Sequence, residues 1–226
     1  MRILSFLPLL LALGCSTDSG SPEASGEAAT PAASAYDASL ADDPCGFVPA
    51  LAVAEAAGVE AAAVTRDDVS MGLLDGLCAY DIEGTDHSVS LIIEEVMEDA
   101  EAAEAYFAQS YRAMTPDEVD AVREAANDAK AEMDAEGQID ATASDALGES
   151  GAGDFIAGMA ANVRYEPIEG LGDQAVASYF RDQFNGVYVR HGNLIFQSSV
   201  AVAASPEAIN DNLEPSVALA RAVLSD

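Results

Sequence analysis

Two histidines, His87 and His191, are the side chains of this chain best suited to general-base chemistry near neutral pH. A histidine beside a serine or cysteine can activate it as a nucleophile, as in many hydrolases. The chain lacks the Gly-x-Ser-x-Gly motif that presents such a serine on a sharp turn. His87 lies in or just after one predicted turn and His191 lies within another, where a histidine is usually only a polar turn residue. We therefore predict no catalytic residues.

Divalent-cation binding is a second chemistry, because acidic side chains crowd the first predicted hairpin. The members of this group are Asp81, Glu83, Asp86 and His87. Their spacing does not match the alternating oxygen ligands of a calcium loop. In a chain with 40 acidic residues, such groups are expected by chance. We predict no metal and no cofactor, and these four residues are the alternative metal site.

The N-terminus is a short apolar segment that ends at a cysteine. Residues 3–13 are apolar apart from one serine and one proline, and a membrane-spanning helix needs about 20 apolar residues. The last five residues of this segment, Leu-Ala-Leu-Gly-Cys, resemble the lipobox of bacterial lipoproteins. The resemblance implies a signal peptide over residues 1–14 and a lipidated Cys15. An ordinary secretory signal peptide, cut after Gly14, is the alternative.

The lipobox resemblance also implies a location. Acyl chains on Cys15 would hold the protein stably at a membrane, since two or more chains suffice for that. Ser16 follows the cysteine in place of an aspartate, which implies the outer membrane in double-membraned bacteria. We therefore expect a lipid-anchored protein of the cell envelope that faces the periplasm. Its partners would be the membrane, through the lipid, and an envelope protein or a small ligand.

In that oxidising compartment the two remaining cysteines, Cys45 and Cys78, are expected to form a disulfide. The bond would close a loop of about 33 residues and would stabilise the fold by roughly 3–4 kcal/mol on the chain-entropy model. A metal site is the alternative. It would need further ligands, because two cysteines so far apart, with two histidines in the whole chain, make a poor metal centre.

The charge of the chain restricts its partners. Nine basic residues face 40 acidic ones, for a net charge of −31. A field this negative repels phosphates, which excludes nucleic acid as a partner. The acidic residues are spread over the whole chain, which favours a role in solubility under salty conditions over a site for divalent cations or a basic partner.

The spacing of apolar residues predicts the elements that would position these side chains. Period-two alternation predicts strands at residues 77–82, 89–96, 175–180, 186–190 and 194–203. Helical spacing predicts helices at residues 47–57, 98–114, 115–136, around 155–159, and after Ser205, where Pro215 would interrupt the last one. In the first helix Leu51 is available to the core and Gly58 would end the helix. Thr115 and Glu118 indicate a capping box at the start of the third helix, residues 137–153 would form a loop, and residues 59–65 could form a strand or a loop. Consecutive strands joined by short turns indicate an α+β fold, with an antiparallel sheet built from hairpins and helices packed on one face.

Composition divides the chain into three parts. Residues 15–43 are small, polar and acidic, and we interpret them as the lipidated cysteine and a disordered tether. Residues 44–226 are long enough for a sizeable core, and we interpret them as a single domain. Within this domain, the apolar stripe of the helix over residues 115–136 is thin and mostly alanine, so we expect this helix to lie on the surface or to pack loosely.

Short motifs resemble those of a group of small, largely uncharacterised bacterial lipoproteins. These carry Pro-Cys, a glycine and Cys-x-Tyr after the tether, as at Pro44-Cys45, Gly58 and Cys78-Ala79-Tyr80. They also carry a later Gly-x-Gly-Asp turn, as at residues 170–173. The resemblance covers about residues 43–100 and 168–226, and it implies a fold and a location without an activity. The helical residues of about 115–160 lie outside the resemblance and look like a helical insertion in the domain.

We therefore expect a binding or interaction module that is held at the membrane. An envelope hydrolase with an unfamiliar site is the first alternative, and a passive surface for divalent cations is the second. Tyr106, Phe107 and Tyr111 recur at helical spacing. They would line either the core or a ligand cleft between a helix and the sheet, and the spacing favours the core.

Overall fold

The computed structural model describes residues 35–67, 75–136, 151–202 and 208–225. All of them belong to one compact unit, Ala33–Asp226. The predicted signal peptide and Cys15 lie outside the described residues, as does most of the loop predicted over residues 137–153. The last three residues of that predicted loop, 151–153, belong to a helix instead. Within the described ranges, no helix has both the length and the apolar character needed to cross a membrane.

A seven-stranded antiparallel sheet forms the centre of the fold, in the order β1-β2-β3-β7-β6-β5-β4. The strands are β1 (Val64–Arg66), β2 (Leu77–Ile82), β3 (Ser88–Val96), β4 (Val163–Pro167), β5 (Gln174–Phe180), β6 (Gln183–His191) and β7 (Leu194–Ala201). The sheet confirms the predicted α+β class. The β2–β3 and β6–β7 hairpins form as predicted. The edge strand β4 was not predicted, whereas the segment that forms β1 was left open between a strand and a loop. Both are short and largely exposed, so they carry little hydrophobic alternation.

Two tight turns join the strands of the second half of the sheet. Gly192 and Asn193 connect β6 to β7, and Gly192 has a φ of +59°. Arg181 and Asp182 connect β5 to β6 with φ values of +51° and +64°, as a type I′ turn requires. This second turn was missed in the sequence, because neither of its residues is a glycine or an asparagine.

Five α-helices occur in the described ranges: α1 (Ala50–Ala57), α2 (Ala100–Ser110), α3 (Pro116–Ala135), α4 (Gly151–Ala161) and α5 (Leu213–Val223). Gly58 ends α1 in the left-handed conformation. Thr115 and Glu118 form the capping box that the sequence predicted, with each side chain bonded to the backbone of the other residue. Pro215 does not interrupt α5. It lies in the first turn, where the missing N–H has no intrahelical acceptor.

The main core lies between one face of the sheet and helices α1 and α5. Alternate residues of each strand point into it, as Leu194 and Phe196 do on β7. The helices contribute Val53 and Leu219, which are fully buried. Leu51 was expected in this core, but its side chain is 62% exposed. The helix is too short to bury more than one face.

Helix α2 packs on the opposite face of the sheet. Its Ala103 and Phe107 cover Ile195 of β7, whose neighbour Phe196 points to the main core. Helices were expected on one face only, whereas they cover both faces. The difference arises because apolar residues occupy both faces of β6 and β7, so that both faces need a cover.

The predicted helical insertion is a hairpin in which α3 and α4 pack against each other. Gly153 permits the close approach, because a Cβ atom there would collide with Oδ1 of Asn127 and would lie 2.6 Å from the backbone carbonyl oxygen of Arg123. Ala157 is fully buried on the same side of α4. Phe155 and Met159 were proposed to form a short helix, which they do, and both remain exposed.

The last part of the predicted tether is ordered. Residues 38–42 form a 3₁₀ helix, and Asp37 caps it by accepting a hydrogen bond from the Ser39 N–H at 2.9 Å. Tyr36 and Leu40 pack against the main core. Chain order therefore begins before residue 43, because these two large apolar side chains find a surface to cover.

Candidate functional site

The site begins with a clamp between the N-terminal segment and the β6–β7 turn. Asn193 is buried. Its Nδ2 donates hydrogen bonds to the carbonyl oxygens of Tyr36, at 3.0 Å, and Met97, at 2.8 Å. Its Oδ1 accepts a hydrogen bond from the Tyr36 N–H at 2.6 Å. The clamp fixes the Tyr36 backbone beside the end of the sheet.

A pocket of about 510 Å³ opens next to this clamp. It lies between the N-terminal segment, the end of β6 and the end of α5. Its lining residues are Tyr36, Gly46, Phe47, Pro49, His191, Val223 and Leu224. The Tyr36 ring stands edge-on to Phe47 at 5.8 Å and to His191 at 6.0 Å between ring centroids. Most of the lining residues carry aromatic or aliphatic side chains, with one imidazole among them, and polar atoms are exposed on the walls as much as apolar ones.

The predicted disulfide is confirmed, and it holds one wall of this pocket. Cys45 and Cys78 are bonded, with their Cα atoms 5.0 Å apart. Cys45 directly precedes Gly46 and Phe47, so the bond ties that wall to β2. The Tyr80 hydroxyl adds a hydrogen bond to the Val48 carbonyl oxygen at 2.7 Å.

The carboxylate of Asp173 lies on the Nδ1 side of the His191 imidazole. Its Oδ2 lies 3.9 Å from His191 Nδ1 and accepts a hydrogen bond from the Gly192 N–H at 2.7 Å. His191 Nδ1 is buried and makes no hydrogen bond within the described residues. The Asp173 N–H also donates to the Arg190 carbonyl oxygen, at 2.9 Å. The carboxylate is therefore fixed by backbone contacts beside the imidazole.

Gly172 permits the close approach of the Asp173 turn to β6. Its φ is +57°, and a Cβ atom there would lie 2.6 Å from the Arg190 carbonyl oxygen. Gly170 has a φ of +70°, but a Cβ atom there would have open space around it. The Gly-x-Gly-Asp turn predicted from the sequence thus uses its second glycine for packing.

The buried guanidinium of Arg190 neutralises part of the negative charge around Asp173. Arg190 Nε donates to Gln174 Oε1 at 2.9 Å, and Nη1 lies 3.5 Å from Asp173 Oδ2. Nη2 lies 4.0 Å from Oε2 of Glu104 on α2. Arg190 therefore connects the site to α2. Burial, and next the charge of Asp173, raise the pKa of the Tyr36 hydroxyl.

The other sequence candidates are not brought together as a site. The side chain of Asp81 is exposed on β2, and Glu83 and Asp86 are exposed in the turn that follows. His87 is half-buried, and its Nδ1 makes no hydrogen bond within the described ranges. In those ranges, no group of three or more histidine, cysteine or acidic side chains is arranged to hold a metal ion.

A cluster of aromatic side chains covers the face of the sheet opposite the main core. Phe107 is buried there, as its core interpretation predicted, whereas Tyr106 is exposed. Tyr111 lies 4.7 Å from Phe107 and 4.5 Å from Tyr188 between ring centroids. Tyr165 of β4 and Tyr188 of β6 were not predicted as part of this cluster. One signal in the sequence could have placed Tyr188 there. It lies between the apolar residues Val187 and Val189 on a strand, so its side chain points to the opposite face of the sheet.

Comparison with protein-family models, curated proteins and solved structures finds no match to this chain. The likeness to small bacterial lipoproteins therefore stays a prediction from the short motifs around Cys45 and Cys78. The pocket itself offers a histidine, a tyrosine hydroxyl and apolar walls, and its described lining contains neither serine nor cysteine. This arrangement suits binding better than covalent catalysis.

Proposed function

We propose that this chain is a lipid-anchored envelope protein whose folded unit binds a small ligand in the pocket beside His191. The observation that carries the proposal is the pocket itself, with Tyr36 and Phe47 as aromatic walls and an imidazole backed by Asp173. Its volume of about 510 Å³ lies within the usual range for small-molecule sites, roughly 300–1,000 Å³. Its few polar groups would orient a ligand whose apolar body fills the remainder.

The negative charge of the protein restricts the charge of the ligand that the pocket can bind. The net charge of −31 disfavours an anionic ligand, as does Asp173 behind the imidazole. The aromatic rings of Tyr36 and Phe47 favour a flat apolar or cationic group. We infer a neutral or cationic ligand with an aromatic or aliphatic body and one polar group that reaches His191.

Three probes that share a benzyl or phenyl group test this inference: benzylamine, benzyl alcohol and benzoate. We expect the first two to shift the NMR signals of the His191 and Phe47 rings in a saturable way, and benzoate to leave them unchanged. Phe47→Leu should weaken binding, because it removes a ring wall. His87→Gln is the matched control and should leave binding unchanged. Absence of shifts at His191 with every probe would contradict the proposal, and preferential benzoate binding would refute the charge argument.

The membrane anchor rests on the sequence of residues 11–15. Two features support it: Cys15 follows Gly14 where the apolar segment ends, and the residues after the cysteine are small, polar and acidic. Growth of a bacterial host in labelled palmitate should label the protein. Cys15→Ser should abolish the label, whereas Ser16→Ala should retain it. Equal labelling of all three proteins would contradict lipidation at Cys15.

A hydrolase is the second candidate, and the proximity of His191 to Asp173 favours it. Such a pair can act as a general base. Without a serine or cysteine in the described lining, the attacking group would have to be water. A panel of uncharged esters tests this candidate. Turnover that His191→Gln abolishes, and His87→Gln does not, would support it over simple binding.

A further inference from the structure

Glu94 occupies an irregular position in the sheet. In the β3–β7 ladder, Ile93 pairs with Phe196 and Glu95 pairs with Ile195, so the register shifts across Glu94. Such a β-bulge leaves its extra residue without a ladder partner and re-aims its side chain. Glu94 is half-buried.

The aromatic cluster lies beside this residue, because the bulge sets Glu94 next to Ile195, and Tyr111 and Tyr188 pack against the apolar cluster that contains Ile195. Burial and, after it, the charge of Glu94 raise the pKa of Tyr111, Tyr165 and Tyr188, in agreement with this placement. Tyr165 stands edge-on to Tyr111 at 6.1 Å and to Tyr188 at 6.4 Å between centroids. Each of the three rings is half-buried and keeps part of its surface open to solvent.

Glu94 has no compensating charge in the described part of the chain. It makes no hydrogen bond or ion pair there, and burial raises its pKa, with the charge of Glu95 as the second cause. Arg190, a cation on the same face, is engaged by Gln174 and Asp173. An uncompensated carboxylate that is partly removed from water is costly, so a cation from outside would be favoured at this position.

We propose that Glu94 and the rings of Tyr111, Tyr165 and Tyr188 form a binding site for an organic cation, an alkylammonium or a guanidinium group. The carboxylate supplies the opposite charge, and the ring faces attract a weakly hydrated cation. A metal ion fits poorly, because Ca²⁺ and Mg²⁺ require about six oxygen ligands and this site offers one carboxylate. The site lies on the opposite face of the sheet from the His191 pocket and does not depend on the function proposed for that pocket.

The test is a titration of the purified full-length chain with tetramethylammonium chloride at constant ionic strength. The chain has seven tyrosines and no tryptophan, so tyrosine fluorescence reports on the cluster directly. We expect saturable binding that Glu94→Gln weakens roughly tenfold, as expected for loss of one charge contact in a partly desolvated site. Glu95→Gln is the matched control, since it removes the neighbouring, exposed carboxylate, and it should leave binding within about twofold of the parent.

Two ring variants separate a cation–ring contact from simple charge attraction. Tyr188→Phe keeps the ring face and should bind as the parent does, whereas Tyr188→Leu should weaken binding. Circular dichroism should show the same fold for every variant. Equal weakening by Glu94→Gln and Glu95→Gln, or the absence of saturable binding, would overturn the proposal.

A second pair of probes distinguishes a lysine side chain of a protein partner from a free organic cation. A capped Gly-Lys-Gly peptide and ethylguanidinium are titrated in the same way. Tighter binding of the peptide assigns the site to a lysine side chain of a protein partner. Tighter binding of tetramethylammonium or ethylguanidinium assigns it to a free organic cation. Failure of all three probes to bind would refute the site.

Discussion

The side-chain amide of Asn193 makes two hydrogen bonds with the backbone of Tyr36, although the two residues are 157 positions apart in the sequence. The amide donates to the Tyr36 carbonyl oxygen and accepts from the Tyr36 N–H. A side chain thereby imitates the pairing that a further strand would make. The contact fixes the N-terminal end of the described chain at the mouth of the His191 pocket, so it determines the position of one pocket wall.

Asn193→Ala should destabilise the protein by about 2–3 kcal/mol, because three buried hydrogen bonds lose their partner. The measurement is the free energy of unfolding in urea. The mutant should also be cut faster by protease near Tyr36. Asn162→Ala is the control, since its exposed amide bonds only to the Gly158 carbonyl oxygen. A loss in Asn193→Ala no larger than the control's would show that the clamp is not a stabilising contact.

Gly172→Ala should cost more stability than Gly170→Ala. Both positions have a positive φ, which by itself costs an alanine about 1–2 kcal/mol. Only at Gly172 would the new Cβ meet backbone, 2.6 Å from the Arg190 carbonyl oxygen. Comparison of the two urea midpoints isolates the cost of that collision. Equal midpoints would mean that the turn can move away from β6 without loss.

Reduction of the Cys45–Cys78 bond should lower the free energy of unfolding by roughly 3–4 kcal/mol, as expected for a loop of 33 residues. It should also release the wall that carries Phe47. Urea unfolding with and without a reductant gives the first quantity, and benzylamine binding reports the second. The Cys45→Ser, Cys78→Ser double variant should match the reduced protein and be insensitive to reductant. Unchanged stability after complete reduction would contradict this.

The tyrosine cluster should make the protein sensitive to alkaline pH. Burial raises the pKa of Tyr111 and Tyr188 above the ordinary 10.0. A group whose pKa is raised on folding contributes stability that is complete below its unfolded pKa and is lost as the pH rises towards the folded value. Stability should therefore fall above about pH 10. Urea unfolding between pH 8 and pH 11 measures the fall, and Tyr111→Phe should reduce it. A fall of the same size in Tyr111→Phe would remove Tyr111 as its cause.

Glu94 should also make the folded state less stable as the pH rises, but at a lower pH than the tyrosines do. Its pKa is raised, so the folded state is favoured while the carboxyl is protonated, and that contribution is lost as the pH rises through the raised value. Glu94→Gln should therefore be more stable than the parent at pH 7, with a gain that disappears near pH 4. Glu95→Gln, measured at both pH values, is the comparison. A destabilised Glu94→Gln at pH 7 would mean that the carboxylate already has a compensating partner.

Local patterns were enough to predict several parts of this protein. The β2–β3 and β6–β7 hairpins, the Gly58 stop of α1 and the Thr115–Glu118 capping box all formed as the sequence indicated. Each depends on residues within one turn or one pair of adjacent strands. Their energetics are therefore set by neighbours that the sequence places side by side. The disulfide was predictable for another reason, since one pair of cysteines remained after Cys15.

Tertiary structure alone decided the arrangement of the two sites. The pairing of β3 with β7 brings together residues about a hundred positions apart, and only this register sets Glu94 at a bulge. The same pairing places α2 on the second face of the sheet, and Tyr111, which directly follows this helix, lies beside Tyr188 of β6. The association of Asp173 with His191 depends on how a turn packs against a hairpin. Such contacts depend on the fit of two distant segments, for which neither segment carries a local signal.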